Sequence, residues 1–225
     1  MDFKLKYFFN RKSLQAKSAA ERSSKYAARE IQTFFKLLRL SKMSRTFDWK
    51  KIEFLDLGAG DQFLKLQVTA LGAKYKPIDY DEADFNKDKL PFQSDRFDLV
   101  FSLAVIEHLH SVDNYLSEVY RILKPGGVFY ITTPNFRYSY QSFFDDPTHI
   151  KPFTETGISK LLTIFGFNNV NVFPGSRCKS DWFYTNRFSF FISAHIPFRE
   201  QRWFLPSVLT GRATSVIAIC CKPIC

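Results

Sequence analysis

The chain has no apolar run near the roughly 18 residues that a membrane-spanning helix needs, and its first residues lack the apolar core of a secretory signal. The body is therefore expected to be soluble. The four cysteines, Cys178, Cys220, Cys221 and Cys225, form no Cys-x-x-Cys pair and have no histidine at zinc-ligand spacing. That excludes a zinc-finger-type framework and fits free thiols in a reducing cytoplasm. There is no internal repeat and no low-complexity segment, so neither a solenoid nor a long linker is indicated.

Net charge is also missing, from residue 52 onward: that part holds 18 Lys and Arg and 18 Asp and Glu. Residues 1 to 51 hold 14 basic against 4 acidic residues, so the whole net charge of +10 sits on an N-terminal arm. Arg11, Lys12, Lys17, Arg22, Lys25, Arg29, Lys36, Arg39, Lys42 and Arg45 are spread along it. Three readings stay open: a solvated, partly helical lead-in, a segment drawn to anionic lipid or nucleic acid, and a cleaved targeting peptide. Ile31, Phe34, Phe35 and Leu38 recur at helical spacing, which predicts that the end of the arm packs as a helix on the fold.

A chain of 225 residues suits one α/β domain with its own core. Its most informative stretch is Ile52-Glu53-Phe54-Leu55-Asp56-Leu57-Gly58-Ala59-Gly60-Asp61, an apolar strand ending in an acid and then a turn with paired glycines. Such a turn lets an adenosine-bearing cofactor approach the backbone while the acid meets a hydroxyl or amine. Phe63, Leu64, Val68 and Leu71 predict a crossover helix closed by Gly72, and Lys74 to Asp79 a second strand ending in another acid. Only four residues separate Asp79 from Asp84, which leaves no room for a crossover helix, so a turn is expected there. Phe97 to Leu103 reads as a strand buried on both faces. Ser111 is placed to cap a helix whose apolar face is Val112, Tyr115, Leu116, Val119 and Leu123, stopped by Pro125-Gly126-Gly127 before a strand from Val128 to Thr133. A helix from Thr154 to Gly166 and strands over Asn169 to Phe173 and Ser215 to Cys221 complete the pattern.

The ordered set Asp56-to-Asp61, Tyr75-to-Asp79, Asp84-to-Phe92, Phe97-to-Ser102, Val105-to-Leu109 and Leu123-to-Phe129 resembles the class I S-adenosylmethionine-dependent methyltransferases, in the branch acting on small molecules, sugars and lipids. The likeness covers roughly residues 50 to 170. It implies a Rossmann-like, doubly wound α/β fold with a mostly parallel seven-stranded sheet, helices on both faces and an antiparallel last strand. Residues 1–48 would then be the basic arm with a lid helix and 49–225 the methyltransferase domain, with 180–213 an aromatic-rich insertion. It also implies S-adenosylmethionine as cofactor, held by Asp56, Gly58, Ala59, Gly60, Asp79, Asp84, Phe85 and Ser102. Asp56 would act near the methionine amino group, Asp79 on the ribose hydroxyls and Asp84 on the adenine amino group, with the Phe85 N–H on a ring nitrogen. The family's third glycine of the turn is replaced by Gln62.

Methyl transfer from a sulfonium to a hydroxyl needs alignment, exclusion of water and removal of a proton. Glu107, His108 and His149 are the candidate catalytic residues. His149 lies in Asp145-Asp146-Pro147-Thr148-His149-Ile150-Lys151-Pro152-Phe153, which resembles the Asp-Pro-Thr-His segment of methyltransferases of polysaccharide and lipid-sugar synthesis. Either proton acceptance or bracing of the loop is open to His149, and a cap or pocket wall to Glu107-His108. Ubiquinone-pathway relatives hold a metal with a Glu-x-x-Glu-His pattern. Here Ala104 takes the first position, so no metal ligand set is expected. Trp182, Phe183, Tyr184, Phe188, Phe190, Phe191, Phe198, Trp203 and Phe204 cover the sheet, shape an apolar acceptor pocket or rest on a bilayer, and Arg199, Arg202 and Arg212 are placed to hold a phosphate. The reading is a methyltransferase for a small or lipid-linked acceptor, foremost a sugar hydroxyl in glycan synthesis, in the cytoplasm with peripheral membrane contact through the arm. RNA methylation and a non-catalytic cofactor-binding subunit are the alternatives; no added RNA-binding pattern accompanies the first.

Overall fold

The computed structural model describes residues 19–43, 47–198 and 211–224. Arg11, Lys12, Lys17, Arg45, Arg199, Arg202, Trp203, Phe204 and Cys225, singled out above, lie outside them, as does the side chain of Arg22. Helix α1 (Ala19–Leu40) is followed by β1 (Glu53–Leu57), α2 (Lys65–Ala70), β2 (Lys74–Ile78), β3 (Phe97–Leu103), α3 (Val112–Ile122) and β4 (Leu123–Pro134). Then come α4 (Phe136–Ser139), α5 (Glu155–Ile164), β5 (Asn168–Pro174), α6 (Asp181–Thr185), α7 (Ser189–His195) and β6 (Ser215–Cys221).

The strands form one sheet in the order β2-β1-β3-β4-β6-β5. Strands β2, β1, β3 and β4 pair parallel, and β6 runs antiparallel to both β4 and β5. Alternation along each strand explains the three layers. Leu55, Leu57, Phe97, Val100, Phe129 and Ile131 pack with α3 and α5 on one face, while Phe54, Leu99, Phe101 and Tyr130 pack with α1, α2 and α6 on the other. Because β3 is covered on both sides, six of its seven residues are buried.

The doubly wound architecture and antiparallel last strand are as expected, with one strand fewer: the described sheet has six. The missing edge strand would fall between Asp79 and Phe97. There Asp84 accepts from the Asn86 main-chain and side-chain nitrogens, and Asp88 accepts from the Asp84 N–H at 2.8 Å, closing the stretch into turns. The expected absence of a crossover helix at this place has the same cause. Strand β4 also starts earlier than expected, since Leu123 already pairs with Phe97 and the strand runs through Pro125-Gly126-Gly127. A side chain at Gly127 would meet the Lys124 carbonyl oxygen at 2.8 Å, so the strand needs glycine there.

Helix α1 belongs to the core: Ala27, Ile31, Phe34, Leu37 and Leu38 are buried, and the Phe34 ring meets Phe101 at 4.9 Å. Ser111 stands at the start of α3 but makes no side-chain cap; the Asn86 side chain accepts the His110 and Ser111 N–H groups instead. Thr154 caps α5 through the Gly157 N–H, and Gly166, at φ +86, ends it.

Gln62 holds φ +56, the left-handed conformation that the family's glycine supplies without cost. Gln62→Gly is therefore expected to raise unfolding stability by up to about 1 kcal/mol in a denaturant titration; a lower midpoint would show that the turn is not strained at this residue.

Candidate active site

The first turn is built by main-chain bonds between neighbouring parallel strands. The Ile78 carbonyl accepts the Gly58 and Ala59 N–H groups at 2.9 and 3.1 Å, which brings the end of β2 against the turn after β1. Asp79, the next residue, then accepts the Gly60 N–H at 3.1 Å and the Tyr80 N–H at 2.8 Å. Gly58, at φ +82, sits so close to Val105 that a Cβ would lie 2.3 Å from its methyl group. Gly60 faces open space, with nothing within 4 Å of where a Cβ would be. An acid beside an open, glycine-lined turn is the cradle that an adenosine ribose requires.

Asp56 is buried at the end of β1, where its carboxylate accepts the Tyr75 hydroxyl at 2.6 Å. Burial pushes the Asp56 carboxyl up to about 7; the Tyr75 bond opposes this and the negative charges of Asp79 and Asp61 add to it. The Tyr75 hydroxyl is in turn held well above its usual range by burial and by Asp56. Tyr75 carries no local signal in the sequence; its position opposite β1 in the parallel ladder, paired with Phe54, is a product of register. Asp84 is engaged by Asn86 and lies 3.7 Å from the Lys87 ammonium. Burial raises its proton affinity, but the Asn86 bonds and Lys87 outweigh that and hold the carboxyl below its usual range. Phe85 is buried against Tyr115, which anchors this turn beside the cofactor cradle. Ser102 is fully buried in β3 and accepts the Tyr115 hydroxyl at 2.6 Å, so its hydroxyl serves the packing of α3.

The three candidate catalytic residues converge. Glu107 and His108 form a single helical turn (Ile106–His108) after β3, and the Glu107 main-chain carbonyl accepts the Ile150 and Lys151 N–H groups at 2.8 and 3.1 Å. This docks the loop after β4 onto the end of β3 and sets the His108 and His149 rings 4.8 Å apart. The Glu107 carboxylate, fully buried, accepts the Thr133 hydroxyl at 3.0 Å. His149 Nδ1 lies 2.6 Å from the Phe143 carbonyl, which can only accept, so donor and acceptor accounting puts the proton on Nδ1 and leaves Nε2 as the acceptor. Thr148 gives its hydroxyl proton to Asp146 at 2.6 Å and stands 2.9 Å from His108 Nδ1, which fixes the same tautomer there.

A cavity of about 340 Å³ opens at this place, lined by Glu107, His108, His149, Thr132, Thr133, Ser215 and Arg177 among others. Arg177 had no signal in the sequence, because its site role depends on Glu30 of α1, 147 positions away, which receives its Nε–H at 2.8 Å. Glu30 also accepts the Tyr130 hydroxyl, so α1 is tied to the cavity wall. Glu107, His108 and His149 each offer one ligand atom, all within 4.8 Å of one another, which is also a set that could hold a divalent cation. Sequence spacing did not show this set because His149 comes from a separate loop. Arg212 is exposed, and its N–H donates to the Phe198 carbonyl.

Residues 19–172 match the methyltransferase domain family, and the chain belongs to it as a class I S-adenosylmethionine-dependent methyltransferase fold. A Mycolicibacterium smegmatis protein named "Probable S-adenosylmethionine-dependent methyltransferase" is 28% identical over 145 residues, which are 55% of this chain and 56% of that protein. The ubiquinone biosynthesis O-methyltransferase of Brucella ovis is 28% identical over 79 residues, 35% of this chain and 32% of that enzyme. The matched regions thus span about half or less of these curated relatives. A solved S-adenosylmethionine-dependent methyltransferase from Archaeoglobus fulgidus shares the fold, with TM-score 0.56, 18% identity, and coverage of 86% of this chain and 94% of that one. S-adenosylmethionine is the cofactor of the family, and the open turn at Gly60 beside Asp79 and the buried acid at Asp56 fit it.

Asp79→Ala, which removes charge-assisted acceptors, is expected to weaken S-adenosylhomocysteine binding about 100-fold by calorimetry; an unchanged affinity would move the ribose contact elsewhere. Because the Asp56 value in the fold, about 7, lies above the ordinary 3.8, the neutral acid is the favoured form. Its contribution to stability is complete below pH 3.8 and is lost as pH rises through about 7. Melting curves across that window should show a decline in the wild type that Asp56→Asn removes; the same decline in the variant would assign it to other groups.

Proposed function

We propose that the protein is an S-adenosylmethionine-dependent O-methyltransferase acting on a small or lipid-linked acceptor, specifically a sugar hydroxyl in polysaccharide or glycolipid synthesis. The observation that carries this reading is the His149 imidazole, held at Nδ1 by the Phe143 carbonyl while its ring lines the cavity. The polar residues Thr133, Ser215 and Arg177 that line the same cavity suit a polyhydroxylated acceptor better than a flat apolar one. The name of the Brucella ovis relative supports transfer to oxygen.

The bound cofactor supplies a methyl group on a cationic sulfur, for in-line transfer to the acceptor oxygen. The chain's part is to hold the hydroxyl and take its proton: His149 Nε2 accepts it, while the Phe143 carbonyl and the neighbouring His108 ring keep the imidazole in place. Thr133 and Ser215 offer hydroxyl oxygens to the rest of the acceptor, and Arg177, held by Glu30, gives that wall its positive charge. Docking of the loop on Glu107 keeps this arrangement assembled between turnovers.

In a radiolabelled methyl-transfer assay with nucleotide-linked and lipid-linked sugars, His149→Ala should slow turnover 10²- to 10⁴-fold, by about the usual share of general base catalysis. Cofactor affinity should stay unchanged. Full turnover by His149→Ala would refute the base role. A chelator should leave the wild-type rate unaltered; loss of rate that added Mn²⁺ restores would make Glu107, His108 and His149 a metal site instead.

A further inference from the structure

The chain has four histidines, and the fold brings two of them, His108 and His149, to one opening with ring centres 4.8 Å apart. The fully buried Glu107 carboxylate joins them, and one ligand atom from each of the three side chains lies within 4.8 Å of the other two. Both rings are held from behind. His149 Nδ1–H donates to the Phe143 carbonyl at 2.6 Å, and His108 Nδ1–H to the Thr148 carbonyl at 3.2 Å. With the protons there, each Nε2 keeps its lone pair, and the outer carbonyls set the ring orientation as they do behind metal-ligating imidazoles. A further layer steadies His108: Asp146 accepts the Thr148 N–H at 3.0 Å and its hydroxyl at 2.6 Å. Glu107 is fixed as well, since Thr133 donates to one of its two carboxylate oxygens at 3.0 Å.

Two neutral imidazoles and one carboxylate make a donor set with a single negative charge. The cavity of about 340 Å³ in front of them leaves room for water on an ion's remaining positions. Arg177, the other charged side chain that lines this cavity, is paired with Glu30 at 2.8 Å, which tempers its repulsion of a cation. The two nitrogens decide which cation fits. Imidazole suits zinc and the other late first-row ions, whereas magnesium and calcium take oxygen ligands.

We propose that Glu107, His108 and His149 form a binding site for a divalent transition ion of the zinc type, held by one carboxylate oxygen and the two Nε2 atoms. Two of the ligands stand at the end of β3 and the third on the loop after β4, so docking of that loop builds the site. An ion there engages the lone pair that proton acceptance requires, which makes it an inhibitor of transfer and the metal-free protein the active form. That consequence rests on the function proposed above; the binding does not.

The test is calorimetric titration of zinc chloride into the full chain, first freed of metal by a chelator, with magnesium chloride in parallel and the visible absorption of the Co²⁺ form as a second reading. One Zn²⁺ should bind per chain, and Mg²⁺ should give no binding heat. The double variant His108→Ala, His149→Ala should lose Zn²⁺ affinity about 100-fold or more while binding S-adenosylhomocysteine as the wild type does, and Thr148→Ala, which removes only an outer contact, should lose about tenfold. His110→Ala and His195→Ala, at histidines outside the group, should change nothing. No Zn²⁺ binding by protein that binds the cofactor normally would overturn the inference and leave the methyltransferase reading intact. Full Zn²⁺ affinity in the double variant, or a sulfur-to-cobalt charge-transfer band in the wild type, would overturn it by giving the ion to the cysteines. Zn²⁺ that binds as expected yet leaves transfer at full rate would support the site and remove His149 from proton transfer.

Discussion

One main-chain oxygen organises the histidine-lined end of this protein. The Glu107 carbonyl takes both the Ile150 and Lys151 N–H groups, so a loop that begins after β4 is fastened to the turn that ends β3. The histidine side of the cavity follows from that fastening. Thr148 reaches His108, Phe143 reaches His149, and the two imidazoles face one opening. Two bonds to one carbonyl are individually modest, on the order of 1 kcal/mol each. Their effect is geometric: together with the Thr148 contact to His108, they set the distance of the loop from the strand end.

The cofactor half is organised differently, through the parallel ladder itself. Ile78 binds the glycine turn, which sets Asp79 beside Gly60 and Asp56 beneath them. The acids there are not equivalent. Asp84 is held ionised by Asn86 and Lys87, whereas Asp56, buried under Tyr75, holds its proton to about neutral pH. A cationic ligand that settles near Asp56 would favour its ionised form, which links cofactor capture to proton release.

This contrast explains what the sequence disclosed. Asp56, Gly58, Gly60 and Asp79 lie in a strand, the turn after it and the end of the next strand, and local patterning alone gives those positions. The apolar faces of α1, α3 and α5 were legible for the same reason, since helical spacing alone decides them. The missing edge strand was half visible in the short gap before Asp84, but the bonds of Asp84, Asn86 and Asp88 that close it into turns were not. Contacts between distant segments had no local signal: Tyr75 on Asp56 depends on strand register, Arg177 on Glu30 on how α1 lies, and Ser102 turns inward because Tyr115 faces it. The meeting of His108 with His149 is of this kind, although each by itself is marked in the sequence as a candidate.

Docking of the Asp146–Phe153 loop sets two neighbouring imidazoles with Nδ1 protonated, and the proposed base role needs Nε2 of His149 to take the acceptor proton. Nitrogen-resolved NMR of the imidazole rings in the neutral state reads this directly. The account predicts that His108 and His149 both carry their proton on Nδ1. An Nε2-protonated tautomer at His149, or an equal mixture of the two forms, would mean that the Phe143 carbonyl does not hold the ring, and the proposed proton acceptor would be lost.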